Sequence, residues 1–178
     1  MKKDHDRSDR PRIALFQRRA LLLASVSFAA PVATVALLTP RTTAITSQRA
    51  WRRIRRSYDQ QISGGHTAVD LEDVSLIAGS GGVRATASRA EGAHRSVNAA
   101  GQAAARHLQY YGATLTGAIV VVAGPLTGFE LSESKAAFNA VRSLLAANCH
   151  CIYGTYCDPS FDNEVEVTVI TRAKPMNR

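Results

Sequence analysis

Residues 118–124 read AIVVVAG, seven consecutive residues without a polar side chain. The run is too short for a buried helix and rich in β-branched valine, so it predicts a central strand covered by other elements. Everything else in the chain has to supply that cover.

Patterned segments surround the run. DLEDVSLIAG (70–79) predicts a short helix with Leu71, Val74 and Ile77 inward, closed by glycines 79 to 82. VRATAS (83–88) has strand character. GAHRSVNAAGQAAARHL (92–108) predicts a helix with Val97, Ala100, Ala104 and Leu108 on one side, its small residues letting it lie close to a sheet. After the apolar run, a helix with Phe138, Val141, Leu144 and Leu145 as its stripe is expected, capped by Thr127 with Glu130, or by Ser132. CHCIYGTYC (149–157) is expected as a strand and DPSFDN as a turn. EVEVTVITR (164–172) alternates, with Val165, Val167 and Val169 on one face. Helices alternating with strands after residue 68 point to an α/β fold. The expected form is a two-layer sandwich, a mixed sheet of about four strands with helices on one side.

Charge separates this domain from what precedes it. Residues 1–60 carry 13 Lys/Arg against 4 Asp/Glu, and residues 61–178 carry 9 against 10. Basicity therefore belongs to an N-terminal extension, suited to an acidic partner or anionic surface. Its aromatic residues are too few for base stacking, so no nucleic-acid partner is expected. Residues 20–38, ALLLASVSFAAPVATVALL, are uncharged and long enough as a helix to cross a bilayer core of about 30 Å. Three readings stand: a membrane anchor, an export signal following QRR, or a leader with no membrane role. Basic residues flank the run on both sides, so orientation stays open. Residues 45–62, ITSQRAWRRIRRSYDQQI, predict a helix with Ile54, Tyr58 and Ile62 sharing a face and Trp51 one turn before Ile54. Its arginines occupy the remaining surface, either as a solvated basic face or as a juxtamembrane or partner-binding patch. Gly64 and Gly65 end it. The chain thus divides into a basic and apolar extension (1–43), a helix (44–63) and a globular domain (64–175).

Cys149, Cys151 and Cys157 form no disulfide framework: they are odd in number, and the first two are too close for an ordinary bridge. They read as small apolar fillers in a reducing compartment. His66, His94, His107 and His150 lack metal-ligand spacing, and no metal site is expected.

GGHTAVDLEDV (64–74) places Asp70 and Asp73 three residues apart after a glycine break. An acid at a helix N-cap, followed by another in the first turn, satisfies free backbone N–H groups and suits the helix dipole. The pair therefore has a structural role available without any chemistry.

The stretch GAIVVVAG…ELSESKAAFNAVRSLLAANCHCIYGTYCDPSFDNEVEVTVITR resembles the C-terminal domain of FtsZ, the bacterial relative of tubulin. The shared pattern is a hydrophobic strand ending in Gly, a helix, a strand ending GTxxDP, an acidic turn and EVxVTVI. The resemblance covers roughly residues 65–174, and the helix at 45–62 would match the family's central helix. It aligns Gly65, Ala68, Asp70 and Asp73 with the family's activating loop, Gly-x-x-Asn-x-Asp-x-x-Asp. That loop enters the GTP site of the next subunit, where its carboxylates help to orient the attacking water. Ala68 replaces the family's Asn. The family's glycine-rich phosphate loop is absent, and GSGG at 79–82 does not substitute for it, because it follows a helix instead of linking a strand to one.

The resemblance implies a stand-alone FtsZ-like domain acting in bacterial cell division. It would bind the nucleotide face of a full FtsZ subunit and cap or modulate filaments. Asp70 and Asp73 would be catalytic only in trans, and Gly65, Ala68, Asp70 and Asp73 would form the interaction loop. No cofactor is expected on this chain alone, with GTP and Mg²⁺ met only through a full-length partner. Localisation is expected to be cytoplasmic, with membrane association through residues 20–38 as a variant. The alternatives are a membrane-tethered or exported binding module, and a truncated remnant of a full GTPase.

Overall fold

In the computed structural model, residues 41–62, 67, 69–79, 82–112 and 114–173 are described. The apolar segment 20–38, Gly64, Gly65, His66 and Ala68 lie outside them. The elements run β1 (Arg41–Ile45), α1 (Ser47–Ile62), α2 (Leu71–Ala78), β2 (Val83–Ala90), α3 (Arg95–Tyr111), β3 (Gly117–Gly124), α4 (Leu131–Leu144), β4 (His150–Cys157) and β5 (Val165–Arg172).

The strands form one mixed sheet in the order β1-β2-β5-β3-β4. β3 and β4 are parallel, joined through α4; the other neighbours are antiparallel. The AIVVVAG run is β3, and every residue from Ala118 to Gly124 is buried. Side chains alternate across a strand, so such a run needs cover on two faces. Ala118, Val120 and Val122 pack with Val165, Val167 and Val169 of β5 against α3 and α4. Ile119, Val121 and Ala123 pack with Ile170 of β5 against α1 and α2.

The α/β architecture is the expected one, and it extends the expected sandwich in two respects. The sheet has five strands, not about four, because residues 41–45 pair with β2 from Arg41↔Arg89 to Ile45↔Ala85. Helices cover both faces, not one: α1 and α2 close the second. A strand buried on one face only would have alternated polar with apolar residues, and β3 does not.

Three helix faces differ in detail from their sequence patterns. On α3 the buried stripe is Ser96, Ala99, Ala100, Ala103, Ala104 and His107, while Val97 is exposed. The rotation brings His107 under the sheet, where Nδ1 meets Thr86 Oγ1 at 3.2 Å and Nε2 meets Thr171 Oγ1 at 2.9 Å. On α2, Val74, Ile77 and Ala78 are inward but Leu71 is exposed. On α4, Val141 is buried, Phe138 packs against the core and Leu144 is exposed, while Leu145, the C-cap, is buried. Glu130 occupies the N-cap position of α4 without a side-chain cap bond. Ser132 instead donates to Glu130 Oε2 at 3.0 Å. Arg95 fixes α4 from α3, donating from Nε to Glu133 Oε1 at 2.8 Å and from its terminal nitrogens to the carbonyls of Gly128 and Asn163.

On α1, Ala50, Ile54 and Ser57 are buried and Tyr58 is half-buried; the side chain of Ile62 is outside those described. Cys149 is buried just before β4, and Cys151 and Cys157 lie half-buried on β4. Burial is the main cause that pushes the Cys149 thiol up to about 12, with Cys151 reinforcing it and Arg142 opposing.

Candidate interaction surface

Asp70 stands at the N-cap of α2 in an extended conformation, φ −70° and ψ 132°. Its Oδ1 accepts from the N–H of Glu72 at 2.8 Å. The cap reading of DLED is therefore realised, and Glu72 and Asp73 add two more acids to the first turn. Asp70 and Glu72 are exposed and Asp73 half-buried, so the start of α2 is a small acidic projection. The other two residues of the expected loop, Gly65 and Ala68, lie outside the described residues. Gly79 ends α2 with φ 59° and its N–H on Ser75 O, and the chain then enters β2. This stretch of glycines thus leads from a helix into a strand.

The segment leading into α2 is anchored to the sheet. Thr155 of β4 donates its N–H to Thr67 O at 2.7 Å, and its Oγ1 meets the same carbonyl at 3.4 Å. Val69 is buried against the same strand. Such an approach requires Gly154: a β-carbon there would overlap Ser57 Oγ and fall 2.5 Å from Val69 Cγ2 and 2.9 Å from Val69 N. Two residues on, the side-chain amide of Gln60 covers Cys157, donating to its carbonyl at 2.6 Å and accepting from its N–H at 2.7 Å. Thr67 and Gln60 together cover the C-terminal end of the outer edge of β4, which has β3 on its other side.

The arginines of α1 do not all form a solvated face. Arg53 Nε reaches Glu166 Oε1 at 2.5 Å, and Arg89 of β2 reaches Glu166 Oε2 at 2.9 Å. Glu166 is only 3% exposed. Burial by itself would push its carboxyl up, but the hydrogen bonds and charges of the two arginines together outweigh that and hold it below the usual range. Arg56 pairs with Asp158, whose Oδ1 also accepts from Ser160 N–H at 2.9 Å and Ser160 Oγ at 2.7 Å. Tyr156 lies beneath this group, and burial, followed by the charge of Glu166, pushes its hydroxyl up to about 12. No sequence pattern pointed to this cluster. Its one signal was Glu166, an acid inside a strand whose neighbour β3 is apolar on both faces.

Among the described residues there is no group of side chains that could hold a metal ion, and no helix long and apolar enough to cross a membrane.

With this geometry established, comparison with solved structures is decisive for the fold. A point mutant of FtsZ from M. jannaschii superposes with a TM-score of 0.50 at 24% identity, over 60% of this chain and 32% of that one. The chain has the fold of part of FtsZ. An empty FtsZ dimer from the same organism matches at a TM-score of 0.47 and 26% identity, over 59% of this chain and 31% of that one. The chain thus spans about a third of the FtsZ structures it matches, consistent with the C-terminal-domain resemblance carried by its sequence. No family model and no curated protein matches it.

Proposed function

We propose that this chain is an FtsZ-like domain that docks on a complete FtsZ-type subunit and caps or shortens its filaments. The observation that carries the reading is the fold, which matches about a third of an FtsZ chain over 60% of this one. The acidic start of α2 supports it: Asp70 and Asp73 sit on a projection anchored by Thr67 and Val69, in the element that the sequence resemblance aligns with the family's activating loop. The docking face would be this projection, with Gly65 and Ala68 leading into it, and its target the nucleotide face of the partner. Ala68 offers no amide, so the domain would occupy that face without activating hydrolysis. Its role is binding, and the GTP and Mg²⁺ at the junction belong to the partner.

The test is to titrate the full chain into assembling FtsZ and follow light scattering and GTP turnover. Substoichiometric chain should shorten filaments and lower turnover per FtsZ subunit. Assembly and turnover unchanged at molar excess would refute the reading.

A further inference from the structure

Arg49, Arg52, Arg53 and Arg56 follow one another on α1 at spacings of three, one and three, so they share one side of the helix. They line a groove of about 490 Å³, with Arg89 and the Asp158–Phe161 turn also contributing to its walls. The acids of the cluster are already committed: Glu166 to Arg53 and Arg89, Glu164 to Arg89, and Asp158 to Arg56. Among the described residues no carboxylate pairs with Arg49 or Arg52. Five arginines against three carboxylates leave a surplus of two positive charges in a concave site, where low-dielectric walls concentrate the field.

Size and lining narrow the ligand. The volume lies in the range of small-molecule sites, roughly 300–1,000 Å³, and would hold little more than one turn of a helix about 10 Å across. The two aromatic rings of the groove offer no face to a base. Tyr156 and Phe161 are 2% and 3% exposed, and Arg56 and Arg89 stand over them at 5.8 and 4.5 Å from the ring centroids. What remains is guanidinium, whose planar fork of donors matches phosphate oxygens.

We propose that this groove binds a compact oligophosphate anion, of the size of pyrophosphate or tripolyphosphate, with Arg49 and Arg52 as the principal ligands. Arg53, Arg56 and Arg89 are held by their carboxylates and supply the surrounding positive field. The site recognises phosphate and not a nucleoside. It is separate from the acidic projection at Asp70 and stands or falls independently of filament capping.

The experiment is calorimetric titration of the full chain with tripolyphosphate at physiological ionic strength. Arg49→Ala/Arg52→Ala should weaken binding by about tenfold or more, as expected for losing charge-assisted bonds. Arg18→Ala/Arg19→Ala, in the basic extension, should leave it unchanged, and GTP should bind no more tightly than tripolyphosphate. In the wild-type chain, tripolyphosphate should protect Arg49 and Arg52, but not Arg55, from phenylglyoxal modification. The proposal is overturned by an absence of saturable binding, by equal losses in the two double variants, or by Arg55 being protected equally. Tighter binding of a short oligoglutamate than of tripolyphosphate would also overturn it, assigning the groove to an acidic protein partner.

Discussion

The carboxylate of Glu166 accepts from Arg53 Nε at 2.5 Å, joining the first strand-covering helix to the last strand across 113 residues of sequence. Breaking a buried pair by removing one partner costs about 3–5 kcal/mol, but glutamine keeps an acceptor oxygen for Arg53, and Arg89 is more than a third exposed and can turn to water. Glu166→Gln should therefore lower stability by an amount at or below the lower end of that range, read as a shift in the urea midpoint at unchanged m-value. The folded carboxyl titrates below its ordinary value of 4.5. Its contribution is thus present above that value and lost as pH falls through the depressed folded one. The variant should accordingly show a smaller loss of stability with acid than the wild type.

His107 gives a second, separable pH dependence. The ring is fully buried between Thr86 and Thr171. Burial is the first cause and the charge of Arg84 the second that lower it from 6.5 to about 4. The unfolded chain then binds a proton at a pH where the folded chain does not. Stability should be flat above about 6.5 and fall between 6.5 and about 4, by roughly 3 kcal/mol in all. Unfolding measured at a series of pH values should show this slope, and His107→Gln should abolish it.

Asp70 permits cap and interaction to be separated. Asparagine caps a helix about as well as aspartate, whereas alanine loses about 1 kcal/mol. Asp70→Ala should therefore lower both stability and filament capping. Asp70→Asn should keep the stability, tracked by circular dichroism on heating, and lose capping if the charge acts at the junction. Wild-type capping by the Asn variant would confine Asp70 to its helix.

Gly154 is the tightest point between β4 and its cover. Gly154→Ala drives a methyl into Ser57 and into the backbone nitrogen of Val69, and the latter, being backbone, cannot rotate aside. Overpacking of this kind costs about 1–3 kcal/mol, occasionally more. Amide exchange should show the damage as faster exchange at Thr155, whose N–H bonds to Thr67 O, with β2 and β5 much less affected.

Much of the fold is legible in the sequence because its strongest elements are local patterns. AIVVVAG becomes β3, and Val165, Val167 and Val169 share a face of β5. Asp70 caps α2. The elements that escape such reading draw their stability from distant partners. β1 is only five residues, RTTAI, with three of its side chains exposed, so it carries no apolar period. It exists because β2 offers an unpaired edge. The stripe of α3 was ambiguous because alanines occupy adjacent positions, and the contact that fixes the helix rotation, His107 with Thr86 and Thr171, spans 21 and 64 residues. The α1 arginines likewise look like one solvated face until the turn after β4 brings Asp158 to Arg56, 102 residues away. At the acidic projection the cap was readable from spacing. The anchoring of Thr67 to Thr155 was not, since it depends on a glycine 87 positions further on.

Gln60 holds both backbone groups of Cys157, and Thr67 holds Thr155 two residues earlier on the same strand. The stretch entering α2 and the final turns of α1 are thus riveted to a common beam. A tug on the acidic tip would be borne first by the β4 edge and the long helix beside it, leaving little slack at the joint. Such a part behaves as a bracket: a load applied at Asp70 would pass into the body of the domain.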